Sequence, residues 1–289
     1  MSGTLYLCAT PIGNLEDITL RVLRTLQEVD VIAAEDTRNT IKLLNHFEIK
    51  TPMTSYHEYN KVDKAAYLVE QLANGKNIAL VTDAGTPAIS DPGEELVKQA
   101  YAARLLFCDW KISGSSLPGA CACVTALTLS GLSTRRFAFE AFLPSDKKLR
   151  RKILDSLCTE TRTVIIYEAP HHLRATLQEL FAALGDRRLT ICRELTKIHE
   201  SAMQFTLSEA IYYYEQNAPK GEYVLVIEGR NMADLEQESR DAWAQLSVDE
   251  HMQHYLSEGM DRKDAMKQVA KDRGVPKREI YQQLLNKDT

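Results

Sequence analysis

Two spacings of apolar residues alternate along the first three quarters of the chain. Short apolar runs at 5–9, 31–34 and 78–81 have the length and composition of buried strands. Between them apolar residues recur at helical spacing. Ile18, Val22, Leu26 and Val29 lie on one face behind Asp17, the expected cap. A second helix is predicted over 61–74, stopped by Gly75, and a third from Gly93 to about Ala103. This alternation predicts a mostly parallel sheet covered on both faces. A second set follows from Pro118. It comprises an Ala/Val/Leu-rich helix through Leu129, strands at 137–142, 163–167, 189–192 and 223–227, and helices at 147–157 and 171–184. The polar, acidic stretch 232–240 reads as a linker. Beyond it no strand pattern appears. Helical patterns at 262–272 and 277–285 flank Arg273-Gly274-Val275-Pro276, a helix-turn-helix outline. The expected organisation is an N-terminal α/β domain (1–117), a C-terminal α/β domain (118–230) and a helical extension (241–289). No internal repeat is visible.

A chain of 289 residues is long enough for this plan, and 44% apolar with 26% charged residues is ordinary for a globular protein. The net charge of -5 shows no bulk affinity for nucleic acid, so any such binding needs a local basic patch. Two segments offer one. Lys147, Lys148, Arg150, Arg151 and Lys152 put five cations in six residues, and 261–289 carries eight Lys/Arg against five Asp/Glu. The run at 147–152 is either a solvated helix face or a phosphate-binding one. No apolar stretch approaches membrane-spanning length, and Met1-Ser2-Gly3-Thr4 does not resemble a signal peptide, so a cytoplasmic protein is expected. The six cysteines show no C-x-x-C spacing and mostly sit in apolar segments, as buried reduced thiols do; Cys121-Ala122-Cys123 is a weak metal alternative. With no H-x-x-x-H partner, no metal site is expected.

Candidate chemistry collects where strands end. The stretch 82–93 follows an apolar run with two Asp, two Pro and two Gly, more polarity and backbone restriction than a turn needs. Thr10-Pro11-Ile12-Gly13-Asn14 is a simple strand-helix turn or a backbone cradle; it is not a G-x-G-x-x-G fingerprint, and no G-x-x-x-x-G-K occurs. Glu35-Asp36-Thr37-Arg38 suits acid–base work or polar substrate binding, or else caps a helix. Glu168 follows another strand, with His171 and His172 as helix-start residues. Arg193-Glu194-Leu195-Thr196-Lys197 and Lys220-Gly221-Glu222 carry both signs of charge and are otherwise surface ion pairs of small worth.

Taken in order, these motifs resemble the bacterial ribosomal small-subunit RNA 2′-O-methyltransferase I family, of the tetrapyrrole-methylase-like class of S-adenosylmethionine enzymes. The resemblance rests on Pro11-Ile12-Gly13-Asn14-Leu15 with Asp17, Ala34-Glu35-Asp36-Thr37-Arg38, Asp83-Ala84-Gly85-Thr86-Pro87 with Ser90-Asp91-Pro92-Gly93, Phe142-Leu143-Pro144, Tyr167-Glu168-Ala169-Pro170-His171 and Arg193-Glu194-Leu195-Thr196-Lys197. It implies two α/β domains of the tetrapyrrole methylase type with S-adenosyl-L-methionine in the cleft between them, and a homodimer. It implies cofactor contacts from Pro11, Gly13, Asp83, Ala84, Gly85, Thr86, Gly119, Cys121 and Ala122. Asp36, Arg38, Glu168, Arg193 and Lys197 are then the candidates for orienting RNA or handling its proton, and the 147–152 run for RNA binding. The implied substrate is 16S rRNA of the small subunit, methylated at one cytidine, position 1402. The chain departs from the family pattern at Ala120, where Pro is usual, at Tyr59, where His is frequent, at His172, where Arg is usual, and across 104–116, which replaces a Gly-led strand. Two other readings stay open at this point. One keeps the fold and cofactor and acts on a tetrapyrrole or a protein side chain; the other is a helix-turn-helix regulator.

Overall fold

The computed structural model describes residues 2–106 and 112–285. Chain contacts divide it into two units, Met1–Asp155 with Arg162–Glu228, and Ser156–Thr161 with Gly229–Thr289.

The first unit holds two five-stranded sheets. One contains β1 (Thr4–Cys8), β2 (Val31–Ala34), β3 (Met53–Ser55), β4 (Ile78–Val81) and β5 (Ser113–Leu117), ordered β3-β2-β4-β1-β5 and parallel throughout. The helices between them are α1 (Leu20–Glu28), α2 (Thr37–His46), α3 (Lys61–Ala73) and α4 (Gly93–Leu106). Successive strand residues face opposite sides, so each continuous apolar run feeds two cores. In β4, Ile78 and Leu80 pack with Leu68 and Leu96, while Ala79 and Val81 pack with Val22 and Leu26. Thr19, not Asp17, caps α1: its hydroxyl accepts the Val22 amide at 3.2 Å, and Asp17 closes a short 3-10 turn instead. The short turn uses up the residues on which an Asp17 cap would depend. The two edge strands lacked an apolar signal. β3 is only Met-Thr-Ser, and β5 is Ser-Gly-Ser-Ser-Leu, a composition that only full-length pairing with β1 makes a strand. The atypical 104–116 stretch thus keeps a strand at its end; residues 107–111 lie outside the described residues.

The second sheet is mixed. α5 (Ala122–Leu129) precedes β6 (Phe137–Phe142), α6 (Lys147–Leu157), β7 (Thr163–Glu168), α7 (Leu173–Leu184), β8 (Arg188–Arg193), β9 (Ser201–Thr206), α8 (Leu207–Gln216) and β10 (Tyr223–Ile227). The order is β6-β7-β10-β8-β9, with β6 parallel to β7 and the remaining neighbours antiparallel. α5 packs Cys123, Ala126 and Leu127 on Ile165, Cys192 and Val226 of this sheet. β9 and α8, unmarked by apolar runs, are an edge strand and a helix started by a capping box between Thr206 and Glu209.

The second unit is helical: α9 (Met232–Ala244), α10 (Val248–Ser257), α11 (Arg262–Asp272) and α12 (Lys277–Leu285). The expected linker at 232–240 is therefore a helix. Asn231 caps it, and Arg240–Glu236 and Gln237–Asp241 bridge successive turns, local bonds that apolar patterning does not register. The helix-turn-helix pair at α11 and α12 has the expected bounds, and Val248, Met252, Ala265, Val269 and Ile280 form its core. Inside it His251 is fully buried and stacked on Trp243, with ring centroids 3.8 Å apart and 3° between planes. Its Nδ1 accepts a bond from Arg273 Nε at 3.1 Å, while Nε2 lies 3.3 Å from Asp272 Oδ2 outside hydrogen-bonding geometry. Burial and the adjacent guanidinium, with a smaller push from His254, hold the His251 pKa below its ordinary value against the pull of Asp272.

The sign of the resulting pH effect follows. As pH falls through the ordinary histidine range of about 6.5, the unfolded chain takes up a proton that folded His251 refuses, so stability is lost. Acidification from pH 7.5 to 5.5 is expected to lower the urea midpoint followed by tryptophan fluorescence, and His251→Phe, which keeps the ring stack, to flatten that dependence.

Candidate functional site

The carboxyl ends of β1 and β4 meet the carboxyl end of β7 and the amino end of β10 around a cavity of about 450 Å³. One wall is the chain after β4, Thr82 to Thr86 with Ile89 to Asp91; the other comes from the second sheet and includes Phe142, Tyr167, Glu168, Leu195 and Val224. Cys121 and Ala122 at the start of α5, and Ile12 from the turn after β1, complete it. In parallel sheets side-chain freedom and backbone polar groups concentrate at the strand ends, where binding sites form.

The β4 loop is held in shape by backbone bonds to the turn after β1. Thr10 N donates to Gly85 O at 2.8 Å and Gly85 N returns a bond to Thr10 O at 3.1 Å. The Thr10 hydroxyl, buried, donates to Thr82 O at 3.3 Å. Gly85 takes φ +87, where a side chain is strained, and a Cβ there would lie 3.2 Å from Ile12 Cγ2. Thr86 Oγ1 donates to Ala120 O at 3.0 Å, so the element containing Ala120 remains tied to this loop. Further along, Ala88 also has positive φ (+65), and Asp91 Oδ1 accepts the Gly93 amide at 2.8 Å at the start of α4. Gly119 allows a close pass over Ala9, to which an added Cβ would approach within 2.8 Å. Gly13 lies beside Lys197, whose Cγ an added Cβ would strike. Gly13 and Gly119 therefore shape the surrounding loops, and neither lines the cavity; nor does Pro11.

Three carboxylates gather behind the β4 loop. Glu35 Oε2 accepts the Thr82 hydroxyl at 2.6 Å and the Asp83 amide at 3.3 Å. Asp83 Oδ1 accepts the Asp36 amide at 3.1 Å, and Oδ2 the Asn39 side chain at 3.2 Å. Desolvation, aided by the charge of Glu35 and Asp36, raises the Asp83 pKa against the Asn39 bond. Asp36 is the opposite case. It caps α2 through the Arg38 amide at 2.8 Å and pairs with the Arg38 guanidinium at 2.6 Å. Those bonds hold its pKa at about 2. Arg38 is exposed and Asp36 half-buried, and both lie outside the cavity lining, so the pair supports the loop from behind.

On the opposite wall Glu168 is buried and fully engaged. Its Oε2 accepts the Thr176 hydroxyl and its Oε1 the Ala169 amide at 2.8 Å. Arg150 Nη2 donates to the same Thr176 oxygen at 2.7 Å, and Arg150 Nε to Glu179 at 2.6 Å. Arg150 therefore turns inward, whereas Lys147, Lys148, Arg151 and Lys152 are exposed on α6. Arg151 pairs with Asp155 one turn on. Lys197 bonds Glu194 at 3.0 Å and Glu222 at 2.9 Å, joining two stretches that the sequence suggested as separate pairs. Desolvation disfavours its charge, but the two carboxylates outweigh it and raise its pKa. Arg193 reaches the His199 carbonyl at 3.4 Å, and its Nε is buried without a partner. Neither Arg193 nor Lys197 lines the cavity.

The cavity thus collects Asp83, Ala84, Gly85, Thr86, Cys121, Ala122 and Glu168 from the site candidates, adds Ile12, Phe142, Tyr167, Leu195 and Glu222, which the sequence named only as motif members, and adds Tyr223 and Val224, which no motif contained. Tyr223 and Val224 lie at the amino end of β10, a position that singles them out only once the strand directions are known. Among the described residues no cluster of three or more His, Cys, Asp or Glu is placed to hold a metal. No helix among them is long and apolar enough to cross a membrane. Walls of aliphatic and aromatic side chains with a few directed polar groups are those of a small-molecule site.

Residues 4–211 match the family model of the tetrapyrrole (corrin/porphyrin) methylases. The chain is 51% identical over 279 residues to ribosomal RNA small subunit methyltransferase I of Halalkalibacterium halodurans, covering 96% of this chain and 93% of that one. It is 47% identical to the protein of the same name in Bacillus subtilis, again over 96% and 93%. Among solved structures the fold is similar to uroporphyrin-III-C-methyltransferase from Thermus thermophilus (TM-score 0.53, 20% identity, 78% of this chain and 94% of that one). It is likewise similar to diphthine synthase (TM-score 0.59, 14% identity, 78% and 90%).

Gly85→Ala is expected to cost about 1–2 kcal/mol, the price of a left-handed backbone for an L residue. Urea unfolding of the variant measures it; an unchanged midpoint would show that the loop does not depend on the Gly85 conformation.

Proposed function

This chain belongs to the ribosomal RNA small subunit methyltransferase I family within the tetrapyrrole methylases, and we propose that it transfers the methyl group of S-adenosyl-L-methionine to the ribose 2′-oxygen of one cytidine, position 1402, in 16S rRNA of the small subunit. The observation that carries the reading is near full-length identity to relatives of that name, together with a cavity at the strand ends where the resemblance expects the cofactor. The reading brings with it a homodimer acting in the cytoplasm, both expectations of the family resemblance.

The residues present fit the cofactor. Ile12, Leu195 and Val224 offer apolar contact to a purine, and Asp83, Thr86 and Glu222 in the lining offer polar groups to its hydroxyls and amino-acid end. When bound, S-adenosylmethionine supplies a methyl group on a positively charged sulfur that is already a good leaving group. The protein must then bring the ribose oxygen into line and help remove its proton. Alignment is worth at most roughly 7–11 kcal/mol, and a placed base on the order of 10²–10⁴-fold. Among the carboxylates, Asp36 is a poor proton acceptor because Arg38 keeps it ionised down to about pH 2. Glu168 already accepts bonds on both oxygens. Asp83 lines the cavity and has a raised pKa, so it takes the proton or holds the ribose, with Asp36 as a positioning residue behind it. Asp83 leaves the cofactor contacts of the resemblance with a second role.

RNA phosphates are assigned to the exposed cations of α6, Lys147, Lys148 and Lys152, with Arg151 beside them; Arg150 is spent on the fold. A ribose reaching the cavity must come from an accessible, unpaired region of the RNA.

Labelled methyl from S-adenosylmethionine, supplied with small subunits lacking ribose methylation, is expected in 2′-O-methylcytidine after nucleoside digestion; label in any other nucleoside, or in protein, refutes the assignment. In the same assay Asp83→Asn is expected to lose on the order of 100-fold or more in rate and Asp36→Asn less than about tenfold. Replacing Lys147, Lys148 and Lys152 together by Ala is expected to reduce the salt-dependence slope of RNA binding by about 2, read by filter binding across salt concentrations.

A further inference from the structure

The cavity wall carries two thiols that methyl transfer does not use. Cys121 lines the cavity, half-buried, at the residue preceding the first turn of α5. Cys123 lies buried beneath it, and the two Sγ atoms are 3.4 Å apart, in contact. The Cys123 amide donates to the Tyr167 hydroxyl at 3.0 Å, which anchors that end of the pair. Its bond to Cys121 and its burial push the Cys123 thiol up, so it stays protonated. The buried Cys8 and Cys192 are raised as well, but among the described residues neither has a second sulfur in contact. Burial raises the thiol of Cys8 to about 12 and that of Cys192 to about 11, so both stay protonated and unreactive. Cys121 moves the other way, below the ordinary thiol value. The bond from Cys123 contributes most, and the amide of Val124 and the hydroxyl of Thr86 contribute further, against desolvation. A thiolate at the open end of a helix, facing a cavity and touching a second thiol, has what oxidation to a disulfide requires.

We infer that Cys121 and Cys123 form a peroxide-sensitive dithiol in the cavity wall, closed to an intramolecular disulfide when the cavity is empty and shielded when the cofactor fills it. The shielding rests on the cofactor reading above; the dithiol does not. In the first step the Cys121 thiolate attacks one oxygen of hydrogen peroxide. The O–O bond breaks, hydroxide leaves and takes a proton from solvent, and Cys121 becomes a sulfenic acid. In the second step the sulfur of Cys123 attacks that of Cys121. The S–O bond breaks, and the departing hydroxide takes the Cys123 proton as water. The two sulfurs supply the two electrons that reduce one peroxide to two waters. The sulfurs must close from 3.4 Å to a bond of roughly 2 Å, a movement within reach of rotation about the side-chain bonds. A ring closed across a single intervening residue, Ala122, is strained, and strained disulfides are the ones that dithiols reopen.

The test treats the full chain with hydrogen peroxide, with and without S-adenosylhomocysteine, the non-reacting product, whose binding is measured independently by calorimetry. Mapping is expected to find a Cys121–Cys123 disulfide that dithiothreitol reverses. With the ligand at about ten times its Kd, the rate is expected to fall to about a tenth, the fraction of empty sites. In Cys123→Ala, dimedone is expected to trap sulfenic acid at Cys121, and no disulfide to form. Over-oxidation of Cys121 without a disulfide, or oxidation of Cys8, Cys158 or Cys192 at the same rate, overturns the dithiol. Bound ligand that leaves the rate unchanged overturns the shielding. A disulfide in a protein that binds no S-adenosylhomocysteine overturns the cofactor reading and the shielding while sustaining the dithiol.

Discussion

The structure around the site depends on one backbone pairing, the reciprocal hydrogen bonds between Thr10 and Gly85. β1 and β4 are neighbours in the sheet, and past their ends the two chains would normally diverge into separate turns. The exchange at Thr10 and Gly85 keeps them together beyond the sheet, and only a residue free to adopt φ +87 allows the β4 loop to fold back over Ile12. The remaining supports build on it. Thr86 reaches Ala120 across the loop, Thr10 secures Thr82, and Glu35 holds Thr82 and Asp83 from the β2 side. Each is an ordinary hydrogen bond; together they define a wall whose backbone faces a cavity.

The electrostatics separate the carboxylates by neighbourhood. Asp36, with a guanidinium on it, keeps its charge under nearly all conditions; Asp83, next to two like charges and partly desolvated, holds its charge less firmly. Two residues of one type, bonded through a single amide, therefore have different chemistry available. On the facing wall, Glu168, Thr176, Arg150 and Glu179 form a chain that satisfies a buried carboxylate and consumes a cation. Lys197 between Glu194 and Glu222 does the same at the rim. Most charged residues of the motifs hold the walls in place, and few face the cavity.

The central strands were legible because burial on both faces leaves an uninterrupted apolar run; β2, β4, β7 and β10 are of that kind. The edge strands β3, β5 and β9 were not, since one side faces solvent and their composition is close to that of loops. α9 was hidden for a related reason. It buries no residue; apart from the Trp243 stack on His251 it is held by a cap and charged pairs along its own surface, which resemble a solvated linker when written in one dimension. In the site, the Asp83–Thr86 stretch was visible because its residue types are wasteful in a plain turn. Tyr223 and Val224 were invisible there, and Phe142 and Leu195 appeared only as motif members with no role, because apolar residues near strand ends look the same whether they face a core or a cavity.

The sequence by itself determined the alternation of strands and helices, the central strands, the family, and the loops at which chemistry would gather, because these follow from local spacing and from residue types with restricted backbones. Only the tertiary structure decided which of the marked residues face the cavity. It turned Arg150 inward to Thr176 and Glu179, gave Asp36 to Arg38, set Gly13 against Lys197, and brought Cys121 and Cys123 into contact within that wall. Side-chain direction depends on partners tens of residues away, and a partner exists only once the strands have taken their order.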